Sequence, residues 1–209
     1  MIRPSWFRAV AVASVLLIAS FSSAAAAPTG PGTAAVKKAN DTIAGLLKQK
    51  AAPGSPEEKK LAGKVTASVR EFLDVDELGK RALVDHWGKI TAAQQAEFLR
   101  LLRALIEDNY IKGLRANVDY QVVYVGEEAR PDGGTVVKTE IKTKRRGRPL
   151  TIKIDYVLVA QGGSLRAYDV VTDGVGLVEN YRAQFNKIIA KDGFDGLLAK
   201  MKKKQQAGG

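Results

Sequence analysis

Cysteine is absent from this 209-residue chain, and histidine occurs once, at His86. Without cysteine there is no disulfide framework, no thiolate metal site, no thiol nucleophile and no lipidated N-terminal cysteine. One histidine cannot build a histidine-rich metal centre. His86, beside Trp87 at a helix end, is read as a capping or solvent-facing group, with a pH-sensitive group as the sharper alternative. A membrane-spanning run is missing too: the apolar stretch from Ala9 to Phe21 is shorter than the roughly 20 residues that cross a bilayer. Arg3 and Arg8 precede it, and Ala24 to Ala27 offer small-residue cleavage sites before Pro28. That layout predicts a cleaved secretory signal over residues 1–27 and an exported protein, a transmembrane anchor being the competing reading.

Acidic charge is the other shortage. Lys and Arg number 33 against 22 Asp and Glu, a formal charge of +11, and removing the segment with Arg3 and Arg8 leaves +9. A basic exported protein is drawn to anionic surfaces, which in a bacterial periplasm are lipid headgroups. Nucleic acid fits poorly, since export separates the two and no helix-turn-helix or zinc spacing accompanies the charge.

What is present is a change of period. Ala34–Lys50 carries Val36, Ile43, Leu46 and Leu47 at helical spacing. Ser55 with Glu58, Asp74 with Glu77 and Thr91 with Gln94 each have the capping-box form and open helices to about Leu73, Trp87 and Gly113. The polar side of the last, Glu97, Arg100, Arg103 and Glu107, reads as a solvated face. Alternation then takes over in four strands, 118–125, 135–143, 150–160 and 165–172, joined by short turns that imply an antiparallel meander. Asp173-Gly174 and Gly176 break the last strand, and helical spacing returns over 177–191 and 194–201, with residues 202–209 a frayed basic tail. The order predicts one α+β domain over 28–201: helices at 34–113, a sheet of about four strands at 118–172 packed on one face, and C-terminal helices at 177–201, like nuclear-transport-factor-2-like folds.

Little in the chain carries catalysis. Asp155, Tyr156, Tyr168 and Asp169 lie in adjacent strands and are the only candidate acid–base set; Asp155 alternates with apolar neighbours, as on a wet face, and Asp169 reads as support for the turn or for Arg182. The basic run Lys142, Lys144, Arg145, Arg146 and Arg148 has hairpin spacing. It is either a solvated turn or a contact for anionic headgroups or an acidic partner, with Lys144, Arg145, Arg146 and Arg148 the contact residues. The inward apolar set is Leu105, Ile106, Tyr110, Val122, Tyr124, Val137, Ile141, Ile154, Tyr156, Leu158, Val170, Val175, Leu177, Tyr181 and Phe185. Periodicity leaves open whether it closes into a solid core or surrounds a cavity.

Two motifs carry a resemblance. Tyr168-Asp169, Gly174-Val175, Leu177-Val178, Asn180-Tyr181-Arg182 and Gln184-Phe185 form one; Trp87, Thr91, Gln94, Gln95, Phe98, Leu102 and Tyr110 form the other. Together they resemble the periplasmic phospholipid carriers of the Mla pathway, also known as the toluene-tolerance or ABC-transporter auxiliary family, over about residues 64–200. Two positions depart: Leu165-Arg166 stands where the family usually has Trp, and Gly176 where it usually has Ser. The resemblance implies a soluble, monomeric carrier with an acyl-chain cavity between sheet and helices, lined by the inward set. It implies phospholipid as cargo, no cofactor, no metal and no catalytic role. Its partners would be an inner-membrane ABC transporter with its MCE protein and an outer-membrane lipoprotein complex. The alternative is a small-molecule-binding protein or enzyme of the same architecture, with a Tyr/Asp pocket.

Overall fold

Local side-chain chemistry sets most helix starts. In the computed structural model, which describes residues 30–113 and 120–208 but not the side chains of 109–113, 145 and 208, Ser55 Oγ accepts from Glu58 N at 3.1 Å. Glu58 Oε2 in turn accepts from Gly54 N at 2.6 Å, and this exchange opens α2 (Pro56–Phe72). Asp74 Oδ1 accepts from Glu77 N at 3.0 Å and opens α3 (Val75–Ala82). Thr91 and Gln94 bond each other reciprocally, 3.2 and 3.0 Å, ahead of α4 (Ala92–Gly113). Each such cap contributes about 1 kcal/mol by satisfying backbone N–H groups that have no partner in the helix.

Two of the first three helices differ from the sequence reading. The first, α1, is Pro31–Leu47, three residues earlier than expected. Pro31 has no N–H to leave unsatisfied, and the N–H groups behind it find an acceptor elsewhere in the fold. The third ends at Ala82 and not near Trp87; Leu83 leaves helical geometry (φ −101°, ψ 21°), and a 3₁₀ turn, Trp87–Lys89, follows.

The sheet has five strands in sequence order, all antiparallel: β1 (Tyr120–Ala129), β2 (Thr135–Arg145), β3 (Arg148–Gln161), β4 (Ser164–Thr172) and β5 (Val175–Gly176). The fifth is two residues long, folding back so that Gly176 pairs with Val171. Two residues cannot show an alternation, so the sequence shows only a turn there. After it, α5 (Leu177–Gly208) kinks at Gly193, where φ is 70°. Residues 202–208, expected as a frayed tail, continue this helix, and Lys202 ties it to Glu97 of α4 at 3.1 Å.

Helices α1 and α2 lie across one face of the sheet. The register places Val122, Tyr124, Val137, Thr139, Ile141, Ile152, Ile154, Tyr156, Leu158 and Val170 on that face. Asn40 of α1 meets both Tyr124 and Tyr156 there, and Phe72 of α2 packs edge-on against the Tyr156 ring at 5.8 Å. Helices α3 and α5 pack on β4 and on α4. Val157 belongs to the opposite face and is also buried, so part of that side is covered as well. One core joins these layers and includes Phe98, fully buried and edge-on to Phe185 at 5.3 Å. The polar side of α4 is not wholly solvated: Glu107 is 8% exposed and receives both Arg70 Nε and Nη2 (2.5 and 2.8 Å). A buried carboxylate needs such a partner, and here α2 supplies it.

Candidate functional site

Two β-bulges position the helices around the sheet. In β1 the register slips between Tyr124 and Gly126, turning Glu127 onto the helix-covered face opposite Val137. Glu127 there caps α1 from outside the helix. Its carboxylate accepts from Gly32 N at 3.0 Å, Thr33 N at 2.7 Å and Thr33 Oγ1 at 2.7 Å, while Gly30 at the N-cap offers no side chain. Burial pushes the Glu127 pKa up, but the bonds from Thr33 and Gly32 outweigh it and hold the carboxyl below its ordinary value. In β4 the slip between Val157 and Leu158 of its neighbour makes Tyr168 the extra residue. Next to it, Asp169 Oδ1 accepts from Val170 N (2.9 Å) and from Val178 N (3.1 Å), fixing the start of α5. A Cβ at Gly176 would stand 2.8 Å from Asp169 Oδ2, so a larger residue here requires the Asp169 carboxylate to shift. Arg182 does not meet Asp169; it donates to Arg81 O at 2.8 Å.

The helix-covered face divides in two. Toward the β1–β2 and β3–β4 turns it is solid: Val137 and Leu158 are 0% exposed and Thr139 1%. Toward the β2–β3 turn, Val122, Ile141, Ile152 and Ile154 are only half-buried, and among the described residues none of them packs against the core cluster. Asn40 marks the boundary. Its amide Nδ2 donates to Tyr124 Oη and its Oδ1 accepts from Tyr156 Oη, both at 3.4 Å. Burial, first, raises the Tyr124 pKa, and the Asn40 bond opposes it.

Eight residues of the expected lining therefore share one face: Val122, Tyr124, Val137, Ile141, Ile154, Tyr156, Leu158 and Val170. Ile106 and Phe185 are buried in the core with Leu105, Leu177 and Tyr181 packed against it, and Tyr181 stacks on Phe185 at 5.4 Å. Val175 is 56% exposed at the β5 edge. The Tyr110 side chain lies outside the described residues, as do Val118 and the expected signal over 1–27.

A half-open cleft of about 620 Å³ lies elsewhere, between α1, α2 and the β3–β4 turn. Ala35, Ala39, Phe72 and Leu165 form its apolar part, and Lys38, Arg70, Glu71 and Arg166 its charged part. None of the expected lining residues borders it. Neither this cleft nor Glu127 and Asn40 emerged from the sequence. A helix start with no capping residue of its own, and Gly126 inside an alternating strand, were the available signals.

The acid–base candidates do not converge. Asp155 and Tyr156 are consecutive in one strand and point to opposite faces. Tyr168 lies under Arg81, whose guanidinium carbon is 4.1 Å from the ring centroid, and Asp169 is engaged at the start of α5. His86 Nε2 is 2.9 Å from Asn186 Oδ1, which joins the end of α3 to α5. Among the described residues no three His, Cys, Asp or Glu side chains cluster as metal ligands, and no helix is long and apolar enough to cross a membrane.

Comparison with known proteins agrees with this architecture. A solved phospholipid-binding protein from Ralstonia solanacearum, in complex with a phospholipid, superposes with a TM-score of 0.70 at 22% identity, over 86% of this chain and 99% of that one. The intermembrane phospholipid transport system binding protein MlaC of Haemophilus influenzae is 21% identical over 131 residues. That match takes in 62% of this chain and 61% of the relative's length. The MlaC protein family model matches residues 37–203, which includes every helix and strand described above except the first turns of α1 and the last of α5, and the chain belongs to the MlaC family.

Proposed function

We propose that the protein is a periplasmic phospholipid carrier whose acyl chains lie against the half-buried part of the sheet. The observation that carries this is the row Val122, Ile141, Ile152 and Ile154, β-branched on a helix-covered face yet outside the packed core. Apolar surface of this kind gains about 25 cal/mol per Å² when a hydrocarbon covers it. For the cargo the gain is larger: at about 0.8 kcal/mol per CH₂, a chain of about 16 carbons is worth on the order of 12 kcal/mol out of water. Leu105 and Leu177 complete the proposed wall from the helices, and the buried members of the expected lining support it from behind.

Moving a lipid breaks no covalent bond, so the carrier needs no catalytic group and no cofactor, and the scattered Asp155, Tyr156, Tyr168 and Asp169 fit that reading better than an enzyme pocket. The working unit is residues 28–201, exported behind a cleaved segment 1–27 and monomeric. Its partners are an inner-membrane MCE-protein and ABC-transporter complex on one side and an outer-membrane lipoprotein complex on the other, in keeping with the intermembrane transport named for the H. influenzae relative.

Native mass spectrometry with lipid extraction tests this, on residues 28–209 purified from a bacterial periplasm. One phospholipid per chain is expected. A mass matching the bare chain, with no lipid taken up from added vesicles, would sink the proposal.

A further inference from the structure

Strands β2 and β3 run on past their neighbours. Pairing with β1 begins at Thr143, and pairing with β4 ends at Ile154, so residues 144–149 form an arm with no strand beside it among the described residues. Arg146 and Gly147 close the arm in a tight turn, both at positive φ (52° and 79°). From Lys142 to Lys153 the sequence holds six cations and no acidic residue. The register puts Lys142, Lys144 and Lys153 on the face away from the helices, with Thr151 and Pro149 opposite the first two. All three are exposed, and none has an ion-pair partner among the described residues. The other face continues the half-buried row: Ile141 and Ile152 lead out to Leu150, which is 36% exposed.

We infer that this arm docks the protein on an anionic lipid bilayer, its lysines on the headgroups and Leu150 at the acyl boundary. A protein partner is the competing occupant, and the composition argues against it. Specific protein interfaces centre on aromatic anchors and paired hydrogen-bonding groups. Residues 142–153 contain no aromatic, no Asn or Gln and no acid, only cations of one sign with apolar residues and two threonines. Such an array matches a surface of diffuse negative charge. Docked this way, the row from Leu150 through Ile152 to Ile154 is a continuous apolar path between bilayer and proposed cargo surface. The inference rests on the carrier reading for that consequence alone, not for the docking.

The test is cosedimentation of the signal-free protein with vesicles of phosphatidylglycerol in phosphatidylcholine, against phosphatidylcholine alone. The expected result is binding to the first only, weakening as salt is raised. Each cation near an anionic surface is worth about fivefold in affinity, so the double variant Lys144→Gln/Arg148→Gln should bind about thirtyfold more weakly. Lys142→Gln/Lys153→Gln, away from the turn, should lose a similar factor. Lys203→Gln/Lys204→Gln, which removes two exposed cations of α5, should bind like wild type. The inference falls if the arm variants bind as wild type does, if the α5 variant loses as much, or if the two vesicle types bind alike. Loss of a protein partner with vesicle binding intact would overturn it in favour of an acidic protein. Bound lipid, measured by mass spectrometry on the same samples, reads the carrier proposal separately: arm variants should keep it.

Discussion

One sheet face carries two kinds of surface. Around Val137 and Leu158 the helices close on it completely, while four residues away around Ile141 and Ile154 the same alternation of apolar side chains meets no packed core among the described residues. The sequence chemistry of the halves is nearly identical: Val, Leu and Tyr in one, Val and Ile in the other. What differs is which helix residues lie over them. The solid half sits under the start of α1, held down by Glu127, and under Phe72; the other begins beyond Asn40. A hydrophobic strand position thus has two fates, and only the partner layer decides which.

The largest effect that would separate the halves is in the solid one. Leu158→Ala should cost about 2–5 kcal/mol in urea unfolding, with or without lipid, because the cavity it leaves lies inside the core. Ile154→Ala should cost about 1 kcal/mol in delipidated protein, but should also remove part of the stabilisation that added phospholipid confers. Equal costs at the two sites would break the distinction. Gly176→Ala forces a Cβ against the Asp169 carboxylate and loosens the start of α5; about 1–2 kcal/mol is expected, read from the thermal midpoint.

Glu127→Gln, which leaves the shape of the α1 anchor but removes its charge, should cost about 1 kcal/mol at neutral pH. Here pH sharpens the reading. The carboxyl is held below its ordinary value of 4.5, so its contribution is present above that value and is lost as pH falls through the lower folded-state value. The difference between wild type and variant should therefore shrink in acid below about pH 4.5. A constant difference from pH 7 to pH 3 would remove the charge from the account.

Much of this fold was legible because it is local. Ser55, Asp74 and Thr91 satisfy backbone N–H groups within three residues of themselves, and the period of two in β1 to β4 assigns Val122, Tyr124, Ile141, Ile154 and Tyr156 to one face correctly. The rest depends on long-range partners. Glu127 lies beyond the strand read from the sequence, which ends at Val125; β1 runs on past it, and the bulge turns it toward Thr33, 94 positions away in sequence. Glu107 reads as solvated until Arg70 arrives from α2. The division of the sheet face has the same origin: period assigns a side, and burial comes only with the layer above it.

The most direct test of that division is methyl NMR of the protein loaded with a phospholipid carrying a doxyl spin label on its acyl chain. The signals of Val122, Ile141, Ile152 and Ile154 should broaden, while those of Val137 and Leu158 stay sharp. Broadening confined to Leu165, Ala35 and Ala39 would place the cargo in the cleft between α1, α2 and the β3–β4 turn, and would contradict the assignment made to the sheet.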